Sequence, residues 1–249
     1  MLLNHIKIFS VSSRTFSTAD LSKLLNSESL LSELNLSKCF QCLRSTNYPL
    51  VMSTKGNHQD NAKYAAVLIP LCVDSKGNLS ILYTRRSGNL RRHTRQISFP
   101  GGLRDNTDTS YEDTALRETE EEIGLRKRRI KILGHASLIR PPNTAAIMPI
   151  VGLIKNLNLK KELKINEDEV DEAFTIDIKD LISPDSKRHT QFKSGYSSPT
   201  FVVDNYRIWG ITGFLTNLFL NCLLPNECHY DAKVGFVKPF RPAVKKSDF

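Results

Sequence analysis

The chain has few cysteines and a single tryptophan. Its 249 residues include five cysteines, an odd and low number. Dense, fully paired disulfide frameworks of small secreted domains are therefore excluded, and reduced thiols are expected. Cys39 and Cys42 form a CxxC pair, but a zinc site would need a second pair at similar spacing. We predict neither a zinc nor a redox role for this pair.

Long apolar runs are also lacking. A membrane-spanning helix needs about 18 or more consecutive apolar residues. The nearest candidate, IWGITGFLTNLFLNCLL at 208–224, is interrupted by Gly, Thr and Asn. We predict a buried core helix over 210–223 and no membrane span.

Acidic residues are absent from the first nineteen positions, MLLNHIKIFSVSSRTFSTA. This segment is basic, rich in serine and weakly amphipathic, which is typical of a mitochondrial transit peptide. An ordinary N-terminal tail is the alternative. We therefore predict a transit peptide over 1–19 and a mitochondrial location, with the cytoplasm or peroxisome as alternatives.

The remaining composition is that of a globular protein, with 40 % hydrophobic and 24 % charged residues. Residues 20–62 have short helical patches and a polar end, and are interpreted as an extension and linker. Residues 63–249 form the predicted domain. The formal net charge of +9 and pI of 9.3 favour anionic ligands.

Strand and helix signals alternate irregularly along this domain. Strands are predicted over 63–73, 79–84, 96–102, 130–139 and 145–154, a strand running into a short helix over 172–182, and a hairpin over 199–209. Helices are predicted over 110–123 and 210–223. For the first of these, Ser110 is the predicted N-cap and Gly124 the predicted C-terminal stop. This order predicts an α+β fold in which helices pack on a mixed β-sheet.

Negative charge is concentrated in the first helix, in ALRETEEEIGL at 115–125. Glu118, Glu121 and Glu122 have the i, i+3, i+4 spacing that puts three side chains on one helical face. Mg²⁺ binds such carboxylates together with substrate phosphates. A solvated acidic face held by salt bridges is the alternative from spacing alone.

Glycine and arginine precede this helix. Gly101 and Gly102 allow a sharp turn and a close backbone approach to a ligand. The segment RRSGNLRRHTR at 85–95 carries five arginines, whose guanidinium groups suit phosphate oxygens. In this order, the arginines are predicted to hold phosphates and the glutamates a metal ion.

This series of motifs resembles the Nudix hydrolases. Their box is Gly-x5-Glu-x7-Arg-Glu-U-x-Glu-Glu-x-Gly-U, where U is a bulky aliphatic residue. RETEEEIGL at 117–125 matches its second half, with Thr119 in place of the aliphatic residue. The spacing from Gly102 to Arg117 is one residue longer than in the box, and Asp108 stands in for the upstream Glu.

These differences from the general Nudix box resemble one branch of that family, the coenzyme A diphosphatases. This branch has a second signature, Leu-Leu-Thr-x-Arg-Ser/Ala-x3-Arg-x3-Gly-x3-Phe-Pro-Gly-Gly. LYTRRSGNLRRHTRQISFPGG at 82–102 follows it, with Tyr83 for the second Leu and Arg95 for the expected Gly. The resemblance extends over about residues 63–223.

The resemblance implies a Nudix-type α/β/α sandwich that uses Mg²⁺ or Mn²⁺. It implies cleavage of the pyrophosphate of coenzyme A, a small-molecule substrate, into phosphopantetheine and adenosine 3′,5′-bisphosphate. The catalytic residues it implies are Glu118, Glu121 and Arg117; the metal ligands are Glu118, Glu121 and Glu122; the substrate-binding residues are Arg86, Arg91, Gly101 and Gly102. Glu167, Glu169 and Glu172 are further candidates for the general base.

Three alternatives remain at this stage. The first is a Nudix hydrolase of another nucleoside diphosphate derivative, such as NADH or an oxidised dNTP. The second is a non-catalytic domain that binds a nucleotide or RNA, although no aromatic residue interleaves the arginines of 85–95, so no nucleic-acid partner is expected. The third is a purely structural acidic helix. The sequence does not indicate an oligomeric state.

Overall fold

The computed structural model describes residues 21, 23–45, 63–89, 94–141, 144–191, 196–229 and 235–236. The transit peptide predicted over 1–19 lies outside these ranges, and so does the part at 46–62 of the extension and linker predicted over 20–62. So does Arg91.

The described residues include six α-helices, two short 3-10 helices and eleven strands. The α-helices are α1 Ser27–Leu30, α2 Glu33–Ser45, α3 Tyr111–Ile123, α4 Leu159–Glu162, α5 Ile178–Ile182 and α6 Gly210–Leu223. The strands are β1 Tyr64–Val73, β2 Leu79–Arg86, β3 Ile97–Ser98, β4 Gly101–Leu103, β5 Lys131–His135, β6 Ala146–Lys155, β7 Val170–Asp177, β8 Lys187–Gln191, β9 Tyr196–Val203, β10 Tyr206–Ile208 and β11 Gly235–Phe236.

A seven-stranded mixed sheet is the centre of the fold. Its main path runs β3-β2-β1-β6-β5, with β4 also paired to β1 and β7 to β2. The predicted hairpin is confirmed, since β1 and β2 pair antiparallel through Val73 and Leu79. β1 pairs parallel with β6 over its whole length, from Tyr64 against Ala146 to Val73 against Lys155. Both strands read as continuous apolar runs because each is buried on two faces.

Helices cover both faces of this sheet. On one face, Ala115 and Ile123 of α3 pack in a cluster with Leu68 of β1 and Ile150 of β6. On the other, α2 and α6 pack in the larger cluster, which contains Phe40 and most of the apolar side chains of α6. The predicted α/β/α arrangement is therefore confirmed.

A second sheet of four strands packs beside the first. β9 lies between β10 and β11 and also pairs with β8. The hairpin predicted over 199–209 is present as β9 and β10, with Phe201 opposite Ile208. β8 was not predicted, because KRHTQ at 187–191 has only one of the β-branched and aromatic residues that indicate strands, Thr190.

The predicted apolar helix is present as α6, with most of its side chains buried. Inside the described ranges, no helix is long and apolar enough to cross a membrane. α2 packs against α6, and a disulfide joins Cys42 to Cys222 between them. The expectation of reduced thiols was therefore wrong for these two residues, because sequence spacing did not reveal that the two helices are adjacent.

Candidate active site

The glutamate helix α3 begins and ends where the sequence indicates. Ser110 Oγ accepts a hydrogen bond from the N–H of Asp113 at 3.1 Å, which satisfies one donor of the first turn. Gly124 ends the helix at φ 70°, a left-handed conformation that suits glycine. These two signals fix which turn of the helix carries the glutamates.

The three clustered glutamates differ in exposure. The side chain of Glu122 is 3 % exposed, that of Glu118 15 % and that of Glu121 53 %. Thr119, which replaces an aliphatic residue of the box, is fully buried. Its hydroxyl donates to the carbonyl of Ala115 at 2.6 Å, so the polar group is satisfied inside the helix.

Arg117 joins two of the glutamates. Its Nη1 donates to Glu118 Oε1 at 3.0 Å and to Glu121 Oε2 at 2.9 Å. The other edge of the guanidinium pairs with the buried carboxylate of Asp108, and Nη2 also reaches the carbonyl of Leu103. Asp108 therefore contacts Arg117, and Arg117 in turn contacts Glu118 and Glu121.

The two glycines bring β4 against both β1 and the glutamate helix. At Gly101 φ is +147°, and a Cβ would overlap the carbonyl oxygen of Ala66 in β1. At Gly102 a Cβ would overlap the carboxylate of Glu118. The N–H of Gly101 donates to Glu122 Oε2 at 3.3 Å. A glycine pair here lets the backbone lie directly on the carboxylates.

Arg86 reaches the same turn from the end of β2. Its Nη1 lies 3.9 Å from Glu122 Oε1. Its Nε is buried and has no hydrogen-bond partner among the described residues. An unpaired buried donor is costly, and a ligand oxygen would satisfy it. The structure thus brings Arg86, Gly101, Gly102 and the glutamates together.

The three candidates for the general base separate in the structure. Glu172 forms an ion pair with Arg85 at 3.2 Å and accepts a hydrogen bond from Tyr206 at 2.8 Å, so it is engaged away from the glutamate turn. Glu167 is exposed. Glu169 is close enough to Glu118 and Glu122 for its charge to raise the pKa of both.

The segment that carries Glu169 is hydrogen-bonded to its surroundings on both sides. Lys164 N–H donates to the carbonyl of Ile123 at 2.8 Å, and Asn166 N–H to that of Glu122 at 2.9 Å. On the other side, the N–H of Ser87 donates to the carbonyl of Glu169 at 2.8 Å. Ser87 belongs to the arginine signature, but sequence reasoning gave it no role. Its partner is 82 residues away along the chain, and no local pattern signals such a contact.

The surroundings of Glu118 and Glu122 disfavour the charged form of both carboxyl groups. Burial, with a smaller contribution from the charges of Glu118 and Glu169, raises the pKa of Glu122 to about 8, although the charge of Arg86 opposes this shift. Burial also raises the pKa of Glu118, although Arg117 opposes this shift. A cation would relieve both effects.

The donor set fits a hard divalent ion, which prefers carboxylate oxygens. Glu118 and Glu122 face the Gly101–Gly102 turn, where the absence of Cβ atoms lets both carboxylates lie against the backbone. Within the described ranges, no three acidic, His or Cys side chains already surround one point. Glu121 is held by Arg117 and would have to change its rotamer to join them.

Arg95 takes the backbone conformation of the glycine that the signature expects. Its φ is 56°, in the left-handed region. The N–H of Arg95 donates to the carbonyl of Arg86 at 3.1 Å. The exposed side chain lies over Gly88. Arg95 therefore has a strained backbone conformation, but its side chain does not prevent the hydrogen bond to Arg86.

A comparison with protein families identifies the domain that contains these site residues. A family profile, the NUDIX domain, matches residues 62–196. The chain belongs to the Nudix hydrolase family. The match includes β1 to β8, the glutamate helix and the segment of Glu169, so every described residue of the site lies inside the Nudix domain.

Curated relatives place it further within the Nudix hydrolases. The mitochondrial coenzyme A diphosphatase NUDT8 of Mus musculus is 35 % identical over 181 residues, which are 71 % of this chain and 85 % of the relative. Nudix hydrolase 3 of Caenorhabditis elegans is 38 % identical over 69 % of this chain and 78 % of its own length. The peroxisomal coenzyme A diphosphatase NUDT7 of Mus musculus is 32 % identical over 67 % of this chain and 72 % of its own length. The resemblance inferred from the motifs is confirmed.

Proposed function

We propose that this Nudix hydrolase cleaves the pyrophosphate bond of coenzyme A and acyl-CoA, releasing 4′-phosphopantetheine and adenosine 3′,5′-bisphosphate. The observation that carries the proposal is the position of Arg86. This arginine of the diphosphatase signature lies 3.9 Å from Glu122 and has an unpaired buried Nε. The names of the NUDT8 and NUDT7 relatives support the same substrate.

The proposed binding step uses cations and backbone. Arg86 would donate Nε and Nη groups to the diphosphate oxygens, as guanidinium groups do in bidentate phosphate contacts. Arg91 is proposed as a second phosphate contact, by the signature alone. The Gly101–Gly102 turn would let the substrate approach the glutamates without side chains in between.

The proposed metal ligands are Glu118, Glu122 and, after a rotamer change, Glu121, for Mg²⁺ or Mn²⁺. Such an ion, when bound, supplies positive charge that stabilises the charge developing on the phosphate oxygens. Arg117 would keep Glu118 and Glu121 oriented through its Nη1 contacts. This positioning is needed because carboxylates that rotate away from the metal site can no longer bind the same ion.

Glu169 is proposed as the residue that accepts the proton of the attacking water. It lies near Glu118 and Glu122, whereas Glu172 is engaged with Arg85 and Tyr206. The water would attack phosphorus in line with the leaving phosphate. A carboxylate in this position typically contributes about 10²–10⁴-fold to the rate.

The test is hydrolysis of coenzyme A and of an acyl-CoA in the presence of Mg²⁺ or Mn²⁺. We expect phosphopantetheine to be released by the wild-type protein and lost in Glu122→Gln. Glu120→Gln is the matched control, because Glu120 is in the same turn but exposed and outside the ion-pair network. Turnover of NADH or an oxidised dNTP with no turnover of coenzyme A would replace the substrate assignment with the alternative.

A mitochondrial location is also proposed, from the basic, acid-free segment 1–19 and the mitochondrial NUDT8 relatives. A fluorescent fusion of the full chain should enter mitochondria, and the same fusion without residues 1–19 should not. Entry of the fusion into peroxisomes would favour the location of the NUDT7 relative.

A further inference from the structure

Most of the net charge of the chain is concentrated in two short segments. RKRRIK at 126–131 and KNLNLKKELK at 155–164 contain nine lysines and arginines and one glutamate, so they carry a formal charge of +8. The whole chain carries +9. We call these two segments together the basic edge.

The two segments are adjacent in space. Arg129 pairs with Glu162 of α4, and its Nη2 donates to the carbonyl of Lys155 at 3.0 Å. Lys131 begins β5 opposite Leu153 of β6, two residues before Lys155. The charges therefore form one continuous surface along the edge of the sheet and the neighbouring helix α4.

Ion pairing accounts for only a small part of this charge. Lys127 pairs with Asp113, and Arg129 with Glu162. In the part of the chain that the structure describes, the other seven basic side chains of the edge form no ion pair, and all seven are exposed. Like charges this close repel one another, so an external anionic partner would be stabilising.

Most of the basic edge lies away from the catalytic turn. Gly102 is opposite Ala66 near the start of β1, whereas Lys155 is opposite Val73 at its end. Seven residues of strand separate these two levels, which corresponds to roughly 23 Å. Electrostatic attraction of substrate into the site therefore does not explain the charge of Lys131 and Lys155.

We propose that the basic edge docks the protein on an anionic lipid bilayer. Clusters of four to eight lysines and arginines are typical of surfaces that bind acidic phospholipid headgroups. The edge contains no aromatic residue, and base stacking on aromatic side chains is the usual support for binding of single-stranded nucleic acid. Docking through Lys131, Lys155 and the lysines of α4 leaves the glutamate turn open to substrate, because Lys155 is opposite the end of β1 and Gly102 is opposite its start.

The test is sedimentation of the full chain with phosphatidylcholine vesicles made with and without phosphatidylglycerol. We expect binding only to the phosphatidylglycerol vesicles, weakening as salt is raised. In Lys160→Glu/Lys161→Glu the vesicle partition coefficient should fall by at least about 25-fold, since each basic residue at such a surface contributes roughly a factor of five.

The control variant is Lys38→Glu/Lys63→Glu, which makes the same change in net charge away from the edge. Lys38 lies on α2 on the other face of the sheet, and Lys63 precedes the opposite end of β1. This variant should bind vesicles within about twofold of wild type. Thermal unfolding of all three proteins verifies that each variant is folded.

Three results would overturn the proposal. The first is no binding to phosphatidylglycerol vesicles at low salt. The second is equal loss of binding in both double variants, which would mean that only net charge matters. The third is tighter binding to poly(U) RNA than to the vesicles, with RNA displacing the vesicles, which would make the edge a nucleic-acid surface. Coenzyme A hydrolysis does not enter the readout, so the docking proposal stands or falls independently of the proposed activity.

Discussion

Asp108 accepts two hydrogen bonds from one edge of the Arg117 guanidinium, 2.8 Å from Nε and 2.9 Å from Nη2. Arg117 holds the pKa of this carboxyl well below its usual range. Because Asp108 fixes that edge, Nη1 remains directed at Glu118 and Glu121. Asp108 stands where the Nudix box has a glutamate, and it contacts Arg117, the arginine of the box. It does so although the segment between Gly102 and Arg117 is one residue longer than in the box.

Replacing Asp108 tests this positioning. We expect Asp108→Asn to lower kcat, or the apparent affinity for Mg²⁺, by about 10–100-fold, as is typical when a residue that orients metal ligands is changed. Steady-state kinetics with Mg²⁺ titration measure both effects. Asp105→Asn is the control, because Asp105 is exposed and accepts its hydrogen bonds from Thr107. Equal activity of Asp108→Asn and wild type would show that Arg117 orients the glutamates without Asp108.

Glu122 gives the metal-free protein a specific pH dependence of stability. Burial raises its pKa from 4.5 in an ordinary setting to about 8. Between these values the folded protein holds a proton that the unfolded chain has released. Its contribution to stability is therefore fully present below pH 4.5 and is lost as the pH rises to about 8.

The difference in unfolding free energy between wild type and Glu122→Gln isolates this effect. Measured by urea unfolding in chelator, the stability of wild type relative to the variant should fall as pH rises from about 5 to 8 and then level off. Glu120→Gln should show no such trend relative to wild type. A constant difference between wild type and Glu122→Gln across this range would contradict the assignment.

Arg95 should be an unfavourable residue at its position. A left-handed conformation costs a residue with a side chain about 1–2 kcal/mol, and glycine avoids this cost. We expect Arg95→Gly to raise the free energy of unfolding by about 0.5–1 kcal/mol, after allowing for the greater freedom of glycine in the unfolded chain.

Arg95→Ala separates strain from loss of the side chain. It keeps the left-handed backbone, so it should not be stabilised as the glycine variant is. Urea unfolding of the three proteins gives the comparison. If both variants shift stability equally, the guanidinium rather than the backbone is responsible.

The disulfide between Cys42 and Cys222 should stabilise the packing of α2 on α6. Breaking a disulfide that closes a long loop typically costs about 2–5 kcal/mol. Cys42→Ser and Cys222→Ser should each lower the free energy of unfolding by a similar amount, and the double variant should lose no more than either one. Additive losses, or no change in wild type on adding reductant, would show that the bond does not contribute.

The sequence was sufficient for much of the fold. α3 and α6 were predicted to within one residue. The start and stop signals of α3, Ser110 and Gly124, are local, and α6 was predicted from its apolar run. The β1–β2 hairpin was predicted from an apolar run, a turn and a second strand. β8 was missed because Thr190 is its only residue that favours strands; its pairing with β9 stabilises it.

In the candidate site too, the residues close together in sequence were predictable, and the contacts between distant segments were not. Glu118, Glu121, Glu122 and Arg117 could be proposed from the sequence because they lie within two turns of one helix. Glu169 could be placed only among three candidates, since its approach to Glu122 depends on how the segment after β6 returns to the sheet. The pairing of Arg117 with Asp108 was also invisible in the sequence, because it depends on the path of the loop before the helix.

The bonds of Lys164 and Asn166 to the end of α3 have a consequence for sequence length. They leave only two residues between Asn166 and Glu169, and Ser87 fixes the other side of that turn. An insertion or deletion between 164 and 169 would move Glu169 out of step with the helix that carries the other acids. Insertions or deletions in α4, before Lys164, are therefore expected to be tolerated, and those between Lys164 and Glu169 to abolish activity.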